Sequence, residues 1–345
     1  MTQNNDALEA LYADSYVPGA KQPGFIDKVA QELIETLNDW HSRPEKWDDA
    51  IDSQIHAWYV KPPKVFPKKP YFSPSATGAC KRELYEKGIG SKRDAGGQQP
   101  HQKRWTAIGT SIGDMIQRDL LFIEKHMPGA RFRFERNDRD EPMFEDFAKR
   151  NVLVNVGGIN YSLYGAPDGI LIYTDENGEQ HRIGLEIKSK QTTAARTSLY
   201  SMRQADEKHE LQTIAYSIMF GLSHYIVLYV NTSHKSWSIS DDDFAATPDI
   251  RAFGIDCTDE RKAKLLEDLA DVQRLINERK PPMPDLTKWT FNGFKTAIAQ
   301  SITDDELTQL KQQVELAQKS GLKDFAKRQY SEAYEDLISR IPKSF

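Results

Sequence analysis

Cysteine is nearly absent from this sequence: Cys80 and Cys257 are the two thiols in 345 residues. Two thiols cannot supply a disulfide framework or a four-cysteine metal site. The sequence also lacks an apolar run of about 18 residues, so no membrane span is predicted. Its first residues form neither a basic nor an apolar segment, so no export signal is predicted and we expect a cytoplasmic protein.

Several common catalytic signatures are missing as well. The chain has no internal repeat, no glycine-rich phosphate loop and no G-x-S-x-G motif. Its 8 histidines are not spaced as zinc ligands are. The sequence therefore gives no support to a nucleotide-binding loop, a serine nucleophile of that type or a histidine zinc site.

Acidic residues outnumber basic ones, 51 to 46, and the basic residues are unevenly distributed. The formal net charge of -5 argues weakly against a non-specific nucleic-acid binder. Residues 1–60 contain 4 Lys or Arg and 11 Asp or Glu, whereas residues 61–104 contain 11 and 3. Residues 61–70 are rich in proline and lysine, which predicts an irregular basic connector. Such a segment can lie against a nucleic-acid-binding face, or it can be a solvated loop.

Residues 165–190 carry the clearest chemical pattern in the chain. Two β-type runs, 168–173 and 182–188, flank a polar turn with an Asn-Gly pair, which is a strong hairpin signal. Glu186 and Lys188 are two residues apart in the second run. A strand places both side chains on one face, and Leu185 and Ile187 on the other.

Asp168 opens the first run, so a hairpin brings it beside Glu186. Two adjacent carboxylates repel unless a proton or a cation lies between them. Oxygen ligands of this kind suit Mg²⁺ or Mn²⁺, and a neighbouring Lys188 could orient water or stabilise charge on a phosphate. The alternative is a surface hairpin with ordinary charges, because Asp…Glu-x-Lys is common by chance.

Four short motifs set this pattern in a wider context. In chain order they are Ser73-Pro74-Ser75 with Cys80-Lys81-Arg82-Glu83-Leu84-Tyr85, Gly165-Ala166-Pro167-Asp168, Glu186-Ile187-Lys188, and Gln212 with Tyr216. Their order and spacing resemble the S-x-S…C-x-(R/K)-x-x-Y, G-x-x-D, (D/E)-x-K and Q-x-x-x-Y motifs of the PD-(D/E)xK nuclease superfamily. The similarity lies in the branch of RecB-like and phage recombination exonucleases.

This resemblance implies a metal-dependent DNA nuclease. Asp168 and Glu186, with the main-chain carbonyl of Ile187, would bind Mg²⁺ or Mn²⁺. Lys188 would position the attacking water or help to deprotonate it. Gln212 and Tyr216 would hold the DNA backbone or the loop of Lys188.

The same resemblance favours an exonuclease that acts in recombination or DNA end processing, of the phage type. Its partners would be DNA and a recombination protein, with no membrane. Two alternatives stay open: an endonuclease with the same core, or a non-catalytic DNA-binding protein whose metal site is silent.

The chain departs from the family at Cys80. In relatives with an iron–sulfur cluster, the cysteine at this position is one of four ligands. This sequence offers no partners for it, so we expect a structural thiol and no cluster. An apolar plug formed by Trp289, Phe291 and Phe294 is expected in its place.

A second departure lies on the helix predicted over residues 105–125. The family reads G-T-x-x-(H/E) there and uses the last residue as a metal ligand. This chain has Gly109 and Thr110 followed by Gly113, so that ligand is absent. Asp114 and Gln117 are the nearest substitutes as metal ligands.

Hydrophobic periodicity alternates between strand and helix patterns, which predicts an α/β fold. We expect a mixed central sheet over residues 130–240, flanked by helices as in a restriction-endonuclease-like core. The expected regions are a helical segment with the basic connector at 1–70, a nuclease core at 71–245, and a helical region at 246–345 that packs on the core.

Overall fold

The computed structural model describes residues 24–96, 99–233 and 236–342. The N-terminal residues on which the absence of an export signal was predicted lie outside these ranges. So does the first third of the predicted 1–70 segment.

The helices lie at both ends of the chain and between the strands. In chain order they are α1 (Phe25–Ser42), α2 (Asp49–Val60), α3 (Lys81–Ile89), α4 (Pro100–His126), α5 (Glu145–Ala148), α6 (Glu207–Phe220), α7 (Asp241–Ala246), α8 (Asp259–Glu278), α9 (Lys295–Ser301), α10 (Asp304–Lys319) and α11 (Asp324–Arg340).

The strands occupy the middle of the chain. They are β1 (Tyr71–Phe72), β2 (Phe132–Phe134), β3 (Arg150–Val156), β4 (Ile159–Gly165), β5 (Gly169–Thr174), β6 (Gln180–Lys190), β7 (His224–Asn231) and β8 (Ile250–Asp256). Mixed strand pairing with helices around it confirms the predicted α/β class.

The described residues form two sheets where one was predicted. The larger has the order β2-β5-β6-β7-β8, with β6 and β7 parallel and the other neighbours antiparallel. The smaller has the order β1-β4-β3, in which Tyr71 pairs with Ser162. The expected limit of residue 240 was wrong, because β8 adds an edge strand up to Asp256. Most of its side chains are only half-buried, so its apolar signal is weak.

The larger sheet is covered on both faces, which explains why β7 is an almost continuous apolar run. On one face, α1 and α4 pack against the β6 side chains Leu185 and Ile187. On the other, α6 and α8 pack against Tyr225, Val227 and Tyr229 of β7. The two cores place β6 and β7 at the centre of the molecule.

The last helices enclose a smaller core of their own, around Trp289, Ile298, Leu310 and Leu337. Trp289 and Phe294 are buried, but Phe291 is 92% exposed. Phe291 was therefore wrongly predicted to belong to an apolar plug, since the turn that precedes α9 directs it outwards. No helix in the described ranges is long and apolar enough to cross a bilayer.

Candidate active site

The predicted hairpin is formed by β5 and β6, in a register that pairs Gly169 with Leu185. This register places Asp168, the residue before β5, opposite Glu186. Leu185 and Ile187 point into the core shared with α1 and α4. Glu186 points to the other face, where α6 lies. The alternation read from the sequence is confirmed here.

Asp168 is oriented by the main chain of the neighbouring strand. Its Oδ2 accepts a hydrogen bond from the main-chain N–H of Ile187 at 2.7 Å. Burial raises the pKa of the Asp168 carboxyl, while the Lys188 ammonium and the Ile187 N–H oppose that rise. The carboxylate is thus held at a fixed place beside β6.

Glu186 is almost fully buried, with 1% of its surface exposed. Burial, and then the charge of Asp168, raise its pKa to about 8. Its Oε1 accepts from Lys188 and, at 2.7 Å, from the amide nitrogen of Gln212. Its Oε2 is buried and has no hydrogen-bond partner among the described residues. A buried acceptor without a donor is costly, and such groups cluster at functional sites.

Gln212, on helix α6, forms hydrogen bonds to both charged residues of β6, Glu186 and Lys188. Its amide nitrogen donates to Glu186, and its amide oxygen accepts from the Lys188 ammonium at 3.2 Å. Lys188 remains partly exposed, with 24% of its side chain accessible. The ammonium is therefore fixed by two acceptors at the opening of the pocket.

Tyr216 lies one turn further along α6 and holds the loop that carries Asp168. Its hydroxyl donates to the main-chain oxygen of Ala166 at 2.5 Å. Gly165 is required at this place, because a Cβ there would lie 2.8 Å from Cδ of Pro74 and 3.2 Å from Cε1 of Tyr216. Residues from three of the four motifs, Pro74, Gly165 and Tyr216, thus lie next to one another.

The two substitutes on α4 take different positions. Gln117 is buried, and its amide nitrogen donates to the main-chain oxygen of Asp168 at 2.8 Å. Asp114 is more exposed, and partial burial raises the pKa of its carboxyl. Gln117 thus contacts the residue that opens β5, whereas Asp114 lies close enough to Glu145 to raise its pKa. The role of both as metal ligands stays a prediction.

Glu145 is a further acidic residue of this pocket that sequence reasoning missed. Its backbone has a left-handed φ of 45°, a costly conformation for a residue with a side chain. The Tyr59 hydroxyl donates to its Oε2 at 2.8 Å. Burial raises the pKa of Glu145, and the charges of Asp114 and Asp168 add to that rise. No motif marks this residue in the sequence.

A separate group of close metal-ligand types lies at the far end of the same hairpin. It comprises Asp175, Glu179 and His181, and is the one such group of three found in the described ranges. Oδ1 of Asp175 accepts from the main-chain N–H groups of Asn177 and Glu179, each at 2.8 Å. These bonds stabilise the turn, so turn geometry accounts for the cluster.

The residues around Asp168 and Glu186 fit a hard divalent cation. They offer two carboxylates, one with a buried oxygen that has no hydrogen-bond partner in residues 24–96, 99–233 and 236–342. Carboxylate oxygens are the ligands that Mg²⁺ and Mn²⁺ prefer. A cation between them would also remove the repulsion that raises the pKa of Glu186.

No protein-family model matches the chain, and no curated protein matches it. Among solved structures, the protein SSO0001 is 16% identical over 82% of this chain and 98% of its own, with a TM-score of 0.37. An alkaline exonuclease from Laribacter hongkongensis is 13% identical over 61% and 91%, with a TM-score of 0.33. A phage related exonuclease from Haemophilus somnus 129PT is 12% identical over 60% and 83%, with a TM-score of 0.31.

Proposed function

We propose that this chain is a metal-dependent DNA nuclease of the PD-(D/E)xK type, acting as an exonuclease in recombination or DNA end processing. The observation that carries the proposal is the buried Glu186 carboxylate. One of its oxygens has no donor within the part of the chain that the structure describes, and the carboxylate lies beside Asp168 and is bridged to Lys188. A surface hairpin with ordinary charges would not bury an acid in this way, because desolvation disfavours its charged form.

Asp168 and Glu186, with the carbonyl of Ile187, would hold Mg²⁺ or Mn²⁺. When bound, the ion supplies charge neutralisation at the scissile phosphate and lowers the pKa of water. Asp168 is suited to this task because the Ile187 N–H and the loop fixed by Tyr216 restrict its orientation. A ligand that is held in place needs no reorganisation when substrate arrives.

Lys188 would orient the attacking water, or stabilise the developing charge on the phosphate oxygens. Its ammonium already lies between Glu186 and Gln212 at the pocket opening. Gln212 would hold Glu186 and Lys188 in place relative to each other. Lys188 could turn toward the substrate by breaking its hydrogen bond to Gln212. Tyr216 stays protonated, because burial raises the pKa of its hydroxyl well above the usual range. It therefore acts as a fixed donor to the Asp168 loop.

Digestion of linear and circular DNA tests this proposal. Purified protein is incubated with each substrate in Mg²⁺, in Mn²⁺ and in EDTA, alongside Glu186→Gln. Loss of linear DNA alone, dependent on the cation and absent in the variant, supports an exonuclease. Cleavage of both substrates indicates an endonuclease with the same site. DNA binding without any cleavage indicates a silent binding module, and cleavage that persists in EDTA or in Glu186→Gln contradicts the proposal.

A further inference from the structure

Lys190 lies two residues beyond Lys188 on the same face of β6. It is half-buried, and its ammonium lies 4.9 Å from the centre of the Tyr229 ring. Within the described ranges, no ion pair joins Lys190 to a carboxylate within 4.0 Å. A lysine that is partly removed from water without a close counter-ion is unusual, because long basic side chains normally keep their charge solvated.

Two further cations lie close enough to this lysine to act on its charge. Arg196, in the short turn after β6, is exposed, and its Nε donates to the Thr192 hydroxyl at 3.3 Å. Lys208 lies in the first turn of α6. Both charges lower the pKa of Lys190, as does Lys188, and burial is the largest cause.

One carboxylate opposes this group. Asp206, the N-cap of α6, accepts from the main-chain N–H of Lys208 at 3.1 Å and lies 3.8 Å from its ammonium. Its charge raises the pKa of Lys190, yet the net shift is downward. Burial is the main cause of that downward shift. By charge alone, three basic residues stand beside one carboxylate, and a group with net positive charge attracts anions.

The position of this group relative to the candidate active site indicates the kind of anion. Lys188 and Lys190 are about 6.6 Å apart along β6, which is close to the separation of successive phosphates along a nucleic-acid strand. An anion with repeated phosphates would reach both lysines at once.

We propose that Lys190, Arg196 and Lys208 form a second phosphate subsite, which holds the DNA backbone next to the phosphate that is cut. This inference rests on the proposed nuclease function and specifies which residues bind the backbone of its substrate. The alternative is that Lys190 only packs on Tyr229. Removing its charge while keeping its length separates these two roles.

The test measures binding of a fluorescent single-stranded DNA oligonucleotide in EDTA, as a function of salt. The variants are Lys190→Met, which retains the apolar contact with Tyr229, and Arg196→Gln, which removes an exposed positive charge. Lys319→Gln, an exposed lysine at the end of α10, is the matched control. We expect about tenfold weaker binding for Lys190→Met. The slope of log affinity against log salt should fall by about 0.7 for each cation lost.

Cleavage assays with the same variants separate the two proposals. A raised KM with little change in kcat is expected if the subsite binds substrate and transition state equally. If wild type cleaves DNA but Lys190→Met and Arg196→Gln bind as Lys319→Gln does, with the same salt slope, the subsite is wrong and the nuclease proposal stands. If wild type neither binds nor cleaves DNA, both proposals fail.

Discussion

The amide of Gln212 bonds to Glu186 through its nitrogen, at 2.7 Å, in the same pocket where its oxygen accepts from Lys188. One neutral side chain on α6 therefore fixes both charged groups of the E-x-K motif. Under the proposed function, it would position the reactive groups without taking part in the chemistry.

Loss of either charged group should remove turnover while the fold persists. We expect Glu186→Gln and Lys188→Met each to lower kcat by about a hundredfold or more, because they act where charge develops. Gln212→Leu should have a smaller effect, since it acts through the other two. Steady-state cleavage, with melting temperatures as the folding check, measures this. Glu179→Gln, on the exposed turn of the same hairpin, is the control, and near wild-type turnover in Lys188→Met would remove the assignment.

The stability of the metal-free protein should depend on Glu186 in a particular direction. Its pKa is raised from 4.5 to about 8 in the folded state. The folded state therefore holds a proton that the unfolded state releases between these pH values. The stability linked to this proton is fully present below pH 4.5 and is lost as the pH rises to about 8.

Glu186→Gln cannot ionise, so it avoids this loss. In EDTA, its melting temperature relative to wild type should rise as the pH increases from about 5 to about 8, by roughly 2 °C or more, and then level off. Thermal denaturation at a series of pH values measures the difference, with Glu179→Gln as the exposed control. A relative gain that shrinks over this pH range would show that Glu186 is not held neutral by burial and by Asp168.

The origin of this pocket explains how much of it could be predicted. Side chains alternate between the two faces of β6 as a local property of the strand. The sequence alone therefore predicts that Glu186 lies on one face, and Leu185 and Ile187 on the other. The contact of Gly165 with Pro74 and Tyr216 is not local, since it joins residues far apart in the chain. The order of the motifs in the sequence indicated that these residues belong to one site, but it did not predict this contact.

Other features carry no local signal at all. Glu145 reaches the pocket through a left-handed backbone conformation and a hydrogen bond from Tyr59, 86 residues away. The second sheet depends on the pairing of Tyr71 with Ser162. Contacts between residues far apart in the sequence determine the position of Glu145 and the pairing of the second sheet. Hydrophobic periodicity predicts only whether a segment is a helix or a strand.

Binding of Mn²⁺ should depend on the acids of α4 and α5. Asp114 and Glu145 interact electrostatically with each other, and Glu145 also interacts with Asp168. We expect Asp114→Asn and Glu145→Gln each to weaken Mn²⁺ binding by about threefold to tenfold, on the order of 1 kcal/mol. Isothermal titration measures this, with Asp138→Asn as an exposed control.

Gln117→Glu belongs in the same titration. If Gln117 faces the metal, this change would tighten Mn²⁺ binding, because it adds a negative charge beside the cation. The Gln117 amide nitrogen donates to the Asp168 carbonyl, and a carboxylate there loses that bond. We therefore expect no tighter binding and a lower melting temperature. Tighter binding in Gln117→Glu would return this residue to the ligand set, and unchanged binding in both Asp114→Asn and Glu145→Gln would exclude those acids.

Cys80 should behave as a structural thiol. It is buried, and its Sγ accepts from the main-chain N–H of Asp285 at 3.3 Å. We expect purified protein to contain no stoichiometric iron, and Cys80→Ser to keep full cleavage activity, since a cluster normally needs about four thiolate ligands. Iron analysis and the visible absorbance of freshly purified protein measure this, with Cys257→Ser as the second buried thiol. Stoichiometric iron that disappears in Cys80→Ser would overturn the expectation.

The final prediction concerns Arg82, which links α3 to the C-terminal helices. Its guanidinium is fully buried and bonds to Glu86 and Glu306, each at 2.9 Å, to the Ser301 hydroxyl at 2.8 Å and to the Pro282 carbonyl at 3.0 Å. Glu86 is itself 2% exposed. Arg82→Met therefore leaves a buried acid without its cation, which should lower the free energy of unfolding by about 3–5 kcal/mol.

Urea denaturation measures that loss, and limited proteolysis shows where it acts. Because the lost bonds join α3 to the segment around Pro282, Ser301 and Glu306, cleavage should increase near the start of the C-terminal helices. Lys81→Met is the neighbouring control: its exposed ion pair with Asp268 should contribute about 1 kcal/mol or less. Adding Glu86→Leu to Arg82→Met should restore part of the stability, since it removes the unpaired acid. If Arg82→Met unfolds at the same urea concentration as Lys81→Met, the buried ion pairs do not hold the two regions together.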